Sequence, residues 1–148
     1  MSETVILRSA RDRLRYSLSF EITLMALLVP VGALFFDKAL GEIGLLALVL
    51  SGKAMLWHLI YNWIFDRWEA GKGRIASDRN WRWRMVHAVG FEVTLMLTSL
   101  PIYMLWLGIG LLEALSLDIV VTSFVVGYTY VFTLIYDRMF PLTPVVHA

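Results

Sequence analysis

Four unbroken apolar runs constrain this chain more than any other feature. They cover residues 16–36, 43–65, 85–108 and 119–136. Each holds about 18–24 residues, enough to carry an α-helix across about 30 Å of hydrocarbon. Away from water a backbone must satisfy its own N–H and C=O groups, and a helix does so within a single segment. The composition agrees: 59% of the 148 residues are hydrophobic and only 17% are charged, outside the usual range of a soluble domain. The sequence therefore predicts an all-α integral membrane protein with four transmembrane helices. The first run is too long for the apolar stretch of a cleavable signal peptide and leads directly into a second span. There is no cysteine, so disulfides, thiolate metal sites and a cysteine nucleophile are excluded.

The distribution of charge predicts an orientation. Arg8, Arg11, Arg13 and Arg15 precede the first run; Arg67, Lys72, Arg74, Arg79, Arg82 and Arg84 lie between the second and third; Arg138 follows the fourth. The opposite loops carry only Lys38, and Lys53 falls within a span. An excess of Lys and Arg marks the cytoplasmic side. Both termini and the central loop are therefore predicted to be cytoplasmic, with residues 37–42 and 109–118 facing the periplasm. Trp68, Trp81 and Trp83 beside the basic residues read as interfacial anchors.

A shift of 71 residues overlays the chain on itself. Arg11 meets Arg82, Arg13 meets Arg84, Phe20-Glu21 meets Phe91-Glu92, Pro30 meets Pro101, Glu42 meets Glu113, and Asp66-Arg67 meets Asp137-Arg138. Apolar positions drift together by composition, but charges and prolines in register point to a duplicated two-helix hairpin. The units are residues 11–67, a basic linker over 68–81, and residues 82–138. Each unit starts and ends on one side, so the repeats are parallel and related by an axis along the membrane normal.

Several residues stand out for chemistry. Glu21 lies about five residues into the first run, roughly 8 Å from its edge, and Glu92 is placed alike in the third. An acid away from water favours its neutral form unless a cation sits nearby, which suits a site that exchanges a proton for a cation. Hydrogen bonding for helix packing is the competing structural reading. His58, Asn62 and Asp66 form a polar stripe on one helix face, mirrored by Thr129, Thr133 and Asp137; such stripes face protein or water rather than lipid. Lys53 sits near the middle of the second run opposite the repeat mate Phe124, where a lysine is costly unless functional or paired. Arg13 with Asp66, and Arg84 with Asp137, look like one cytoplasmic-edge ion pair per hairpin. Trp57, Tyr61, Trp63 and Phe20 could offer ring faces to a cationic substrate, though rings in spans more often pack. Pro30 and Pro101 mark expected kinks.

These motifs resemble the proteobacterial antimicrobial compound efflux (PACE) family, built from two bacterial transmembrane pair domains. Its Arg-x-x-His-Ala-x-x-Phe-Glu pattern is met by Arg84, His87, Ala88, Phe91 and Glu92, and in the first copy by Arg13, Tyr16, Ser17, Phe20 and Glu21, with tyrosine and serine in place of His-Ala. The second-helix motif is Trp57-His58 followed by Tyr61-Asn62 and Phe65-Asp66, with His58 where the family pattern has asparagine. Span four carries Tyr128-Thr129 and Tyr136-Asp137. The resemblance implies a drug/proton antiporter of the bacterial inner membrane that exports cationic amphiphilic biocides such as chlorhexidine, dyes such as acriflavine, and short diamines. It implies that Glu21 binds proton and substrate in turn. The departures at Tyr16, His58 and Lys53 bear on substrate range.

Two other readings compete. His58 and His87, on different spans, could ligate a haem in a binding module; or the chain could be a partner subunit without a ligand of its own. No nucleophile-and-base set, phosphate loop, metal site or nucleic-acid patch is evident, so neither an enzyme nor a resident cofactor is expected. Four helices make a thin wall for an alternating cavity, which favours a homodimer in the bilayer.

Overall fold

The computed structural model describes residues 9–73 and 80–141. Arg8, Arg74 and Arg79 lie outside that range. Four helices follow one another: α1 (Ala10–Phe36), α2 (Leu40–Ala70), α3 (Trp81–Leu107) and α4 (Leu111–Met139). All four are long and apolar enough to cross a membrane. At 27 to 31 residues they measure about 40–46 Å, longer than the hydrocarbon alone. Their ends run past the apolar runs because polar interfacial residues continue the same hydrogen-bond ladder.

The duplication is visible in the element bounds. Shifting α1 by 71 residues gives α3 to the residue, and the start of α2 becomes the start of α4. The caps are also paired. Ser9 Oγ accepts from Asp12 N at 3.2 Å, and Asn80 Oδ1 accepts from Trp83 N at 3.1 Å, satisfying first-turn donors. α1 closes on Asp37 at φ 50° and α3 on Gly108 at φ 69°, both left-handed caps. The turns that follow are short. Lys38 Nζ binds Glu42 Oε1 at 2.6 Å, and Glu113 Oε2 accepts from Gly110 N at 2.9 Å.

α4 departs most from the sequence expectation. Residues 109–118 were expected as a loop, but α4 begins at Leu111, so most of that segment is helix. Glu113, Ser116 and Asp118 break the apolar run without breaking the helix, since Leu, Ala and Glu are strong helix formers. Pro30 and Pro101 sit inside α1 and α3, whose assignment runs unbroken through both.

α1 packs on α2 and α4, and α3 on α2 and α4, so the bundle closes as a ring. Most buried side chains gather toward the end where the two short turns lie, the turn end: Ala33, Ile43, Leu46, Leu100, Tyr103 and Ala114, with Ser99 and Asp118 among them. Elsewhere large apolar side chains face outward, as they must in lipid. At the opposite, termini end, Trp68 meets Trp83 at 5.6 Å across α2 and α3. Lys72 lies 3.7 Å over the Trp68 ring and Arg67 4.9 Å over Trp63, a cation–aromatic belt of interfacial type.

Candidate functional site

Two helix seams join the repeats, and the 71-residue shift maps one onto the other. In the α2/α3 seam, Asn62 Oδ1 meets His87 Nε2 at 2.9 Å, and Asn62 Nδ2 donates to His58 O at 2.7 Å. Tyr61 Oη donates to His87 O at 3.1 Å, and Trp57 Nε1 donates to Thr94 Oγ1 at 3.1 Å. In the α1/α4 seam, the mates of His87 and Asn62 are Tyr16 and Thr133, whose hydroxyls meet at 2.8 Å. The mates of Thr94 and Trp57 are Thr23 and Tyr128, which are also hydrogen-bonded; Tyr128 Oη donates to Phe20 O at 3.1 Å as well. Ring contacts follow the same map. Tyr16–Tyr136 at 4.9 Å answers His87–Phe65 at 4.7 Å, and Phe20–Phe132 at 5.3 Å answers Phe91–Tyr61 at 5.5 Å.

Gly90 makes the α2/α3 approach possible. A Cβ there would collide with Tyr61 Oη, so the hydroxyl reaches the His87 carbonyl only because position 90 lacks a side chain. Its mate in the other seam is Ser19, opposite Phe132, which has no hydroxyl to accommodate.

An open cleft of ≈ 470 Å³ lies in the α1/α4 seam, lined by Arg13, Tyr16, Ser17, Thr133 and Asp137. Arg13 and Asp137 belong to different repeats. The cleft thus lies between the repeats. The 71-residue map gives Arg84 and Asp66 the equivalent placement across α3 and α2. Beside the cleft Tyr136 Oη donates to Asp12 Oδ1 at 2.9 Å, and Arg15 Nε donates to Tyr136 Oη at 2.9 Å.

The two glutamates do not sit in a packed interior. Glu21 is half-buried on α1, next in sequence to Phe20 of the aromatic group, and Glu92 is exposed on the outer face of α3. Among the described residues no hydrogen bond or ion pair reaches either carboxyl. Phe20, Glu21's neighbour in sequence, meets Tyr16 of the same helix and Tyr128 and Phe132 of α4. Trp57, Tyr61 and Asn62, expected to share its site, belong to the other seam. His58 is exposed, its ring against Phe91 at 5.6 Å; His87 is turned to Asn62. The two histidines expected as haem ligands thus have separate partners.

Lys53 turns to α3. Its ammonium donates to Leu95 O at 3.0 Å, to Thr98 Oγ1 at 3.1 Å and to Ser99 Oγ. It neither snorkels outward nor reaches toward Glu21. Asp118 of α4 is close enough to act on its charge. Asp118 was missed in the sequence because it was assigned to a loop; the repeat register, which starts α4 where α2 starts, would have placed it in a helix.

Known proteins share this architecture in sequence. The family model described as "Chlorhexidine efflux transporter" matches twice, over residues 8–71 and 79–142. A "Short-chain diamines transporter" of Vibrio parahaemolyticus is 34% identical over 130 residues, 88% of this chain and 91% of that protein. Proteins of the same description from Acinetobacter baylyi and Acinetobacter baumannii are 29% and 25% identical, each over 88% of this chain and covering 90% and 88% of their own length. No solved structure matches.

Proposed function

Because this chain belongs to the chlorhexidine efflux transporter family, the PACE family, a family of multi-pass bacterial membrane transporters, we propose that it exports cationic small molecules in exchange for protons at Glu21. The relatives described as short-chain diamines transporters make short diamines the first substrates to test, with cationic biocides and dyes next. The observation that carries the reading is a membrane-embedded carboxyl that no described residue engages, on the helix that lines the cleft. Such an acid can take a proton or an ammonium group, and each occupant excludes the other. That exclusion is the least that coupled exchange requires. Aromatic faces from Phe20, Tyr16, Tyr128 and Phe132 offer cation–π contacts to a substrate on the same seam.

Glu21→Gln keeps size and hydrogen bonding but cannot titrate. It is expected to fold and insert while losing diamine efflux and substrate-triggered proton release. Glu92→Gln should lose less. Efflux by Glu21→Gln at the parent rate, with unchanged pH dependence, would overturn the mechanism.

The cleft end is proposed to face the cytoplasm, following the basic residues around it. Cysteines at Ala39 and Leu111 should then react with an impermeant thiol reagent in intact cells, while one at Lys72 stays silent; the reverse pattern inverts the topology. Exposed Glu92 favours a homodimer whose second copy covers that face, since an acid turned to lipid is costly. A monomeric mass in the reconstituted bilayer would remove the dimer.

A further inference from the structure

The turn half of the bundle holds a second polar cluster that the exchange reading leaves unused. Lys53 from α2 meets Thr98, Ser99 and the Leu95 carbonyl of α3. The buried carboxyl of Asp118 on α4 lies within electrostatic range of Lys53 and of the buried Tyr103 of α3. The repeat mates of Lys53, Thr98, Ser99, Tyr103 and Asp118 are Phe124, Leu27, Leu28, Gly32 and Ala47. The equivalent seam between α1 and α4 is therefore built without any of these polar groups.

The hydrogen bonding within the cluster is lopsided. A lysine ammonium has three donors, and all three are engaged by α3. Asp118 is 9% exposed, yet among the described residues no hydrogen bond or ion pair reaches its carboxyl. An ionised carboxylate can accept about four hydrogen bonds, and buried charge is tolerated only when paired and hydrogen-bonded. Asp118 thus lies in the field of a cation that spends its donors elsewhere, and its acceptors stay open.

We infer that Asp118 is a second carboxylate for an ammonium group of the transported cation, placed in the turn half beyond Glu21, with Lys53 as the resident cation that competes for it. A fixed ammonium beside the acid keeps the site from holding a substrate too tightly to release. This inference rests on the cation-export reading, but its test does not depend on Glu21.

The test measures binding of 1,5-diaminopentane to the purified full chain by calorimetry, in neutral maltoside micelles, which contain no lipid ammonium. Asp118→Asn should weaken binding about tenfold, the scale of one charge-assisted hydrogen bond. Lys53→Met should tighten it severalfold, and the double variant should bind no better than Asp118→Asn. Should Asp118→Asn fail to fold, the comparison of Lys53→Met with the double variant, in which both charges are gone, reads the same effect. Equal affinity across the variants, or a fall in thermal stability with affinity unchanged, makes the cluster a structural pair and overturns the inference; so does undetectable binding by the parent. Loss of efflux in Glu21→Gln together with unchanged binding in Asp118→Asn would fail this inference alone, whereas the converse result would fail the exchange mechanism alone.

Discussion

The α2/α3 and α1/α4 seams descend from one arrangement yet are held differently. The α2/α3 seam is tied by Trp57–Thr94, Tyr61–His87, His87–Asn62 and, deeper, by Lys53 on α3. The α1/α4 seam has the hydroxyl pair Tyr16–Thr133, the Thr23–Tyr128 contact, Tyr128 Oη on the Phe20 carbonyl, Tyr136 with Asp12 and Arg15 at the termini end, and the cleft. Phe132 stands in place of Tyr61 and Phe124 in place of Lys53, exchanges that each remove a polar tie, whereas Tyr136 in place of Phe65 adds one at the termini end. A duplicated hairpin need not move symmetrically. The α1 and α4 backbones approach less closely than those of α2 and α3, and the cleft opens between them; we take this as the seam that parts while the other acts as a hinge. Glu21 lies on the helix of the looser seam, and this is the physical ground for ranking it above Glu92.

The strongest way to break this comparison is to fix each seam in turn. The chain has no cysteine, so pairs can be introduced cleanly at Tyr16 with Thr133 and at Asn62 with His87. Bridging the first pair with a short bifunctional thiol reagent should stop diamine efflux. Bridging the second should leave at least about half of the unbridged variant's rate. Equal inhibition would show that both seams move.

Gly90→Ser tests the tighter seam through packing. The new side chain meets Tyr61 Oη, and overpacking of this kind typically costs about 1–3 kcal/mol. Tyr61→Phe in the same chain removes the colliding hydroxyl and gives the two residue types that stand at the equivalent positions 19 and 132. Thermal unfolding in detergent should show a clear loss for Gly90→Ser and recovery for the double variant. No loss in the single variant would mean that the seam yields easily, contrary to a hinge.

The fold was largely legible because lipid leaves a chain few choices. Run length gave four spans, and the repeat register gave two hairpins. The helix ends and Asp118 were not legible from apolarity, because hydrogen bonding in a helix continues where hydropathy stops. The stripe of Trp57, Tyr61 and Asn62 was visible by spacing, but spacing on one helix cannot say which neighbour it faces. These residues face α3 and its Thr94 and His87. Lys53 could be flagged from sequence alone, since a mid-span lysine needs a partner, but its acceptors are alcohols and a carbonyl that no charge pattern reveals.

The smallest expected difference lies between single hydrogen bonds at equivalent positions. Thr133→Val keeps shape and removes the partner of Tyr16 Oη; the tyrosine hydroxyl borders the cleft and can turn to water there. Side-chain hydrogen bonds between membrane helices average about 0.6 kcal/mol, and the loss should not exceed that. Asn62→Leu removes two bonds, to His87 Nε2 and to the His58 carbonyl. Each such bond contributes about 0.5–1.5 kcal/mol, so the loss of two outweighs the loss of one. Unfolding of the two variants under identical detergent conditions should therefore rank Asn62→Leu as the more damaging. Efflux should show the opposite sensitivity, with Thr133→Val altering the rate because it loosens the seam that parts. A ranking reversed in both measurements would place the hinge at α1/α4 and the moving seam at α2/α3, and would transfer the exchange role from Glu21 to Glu92.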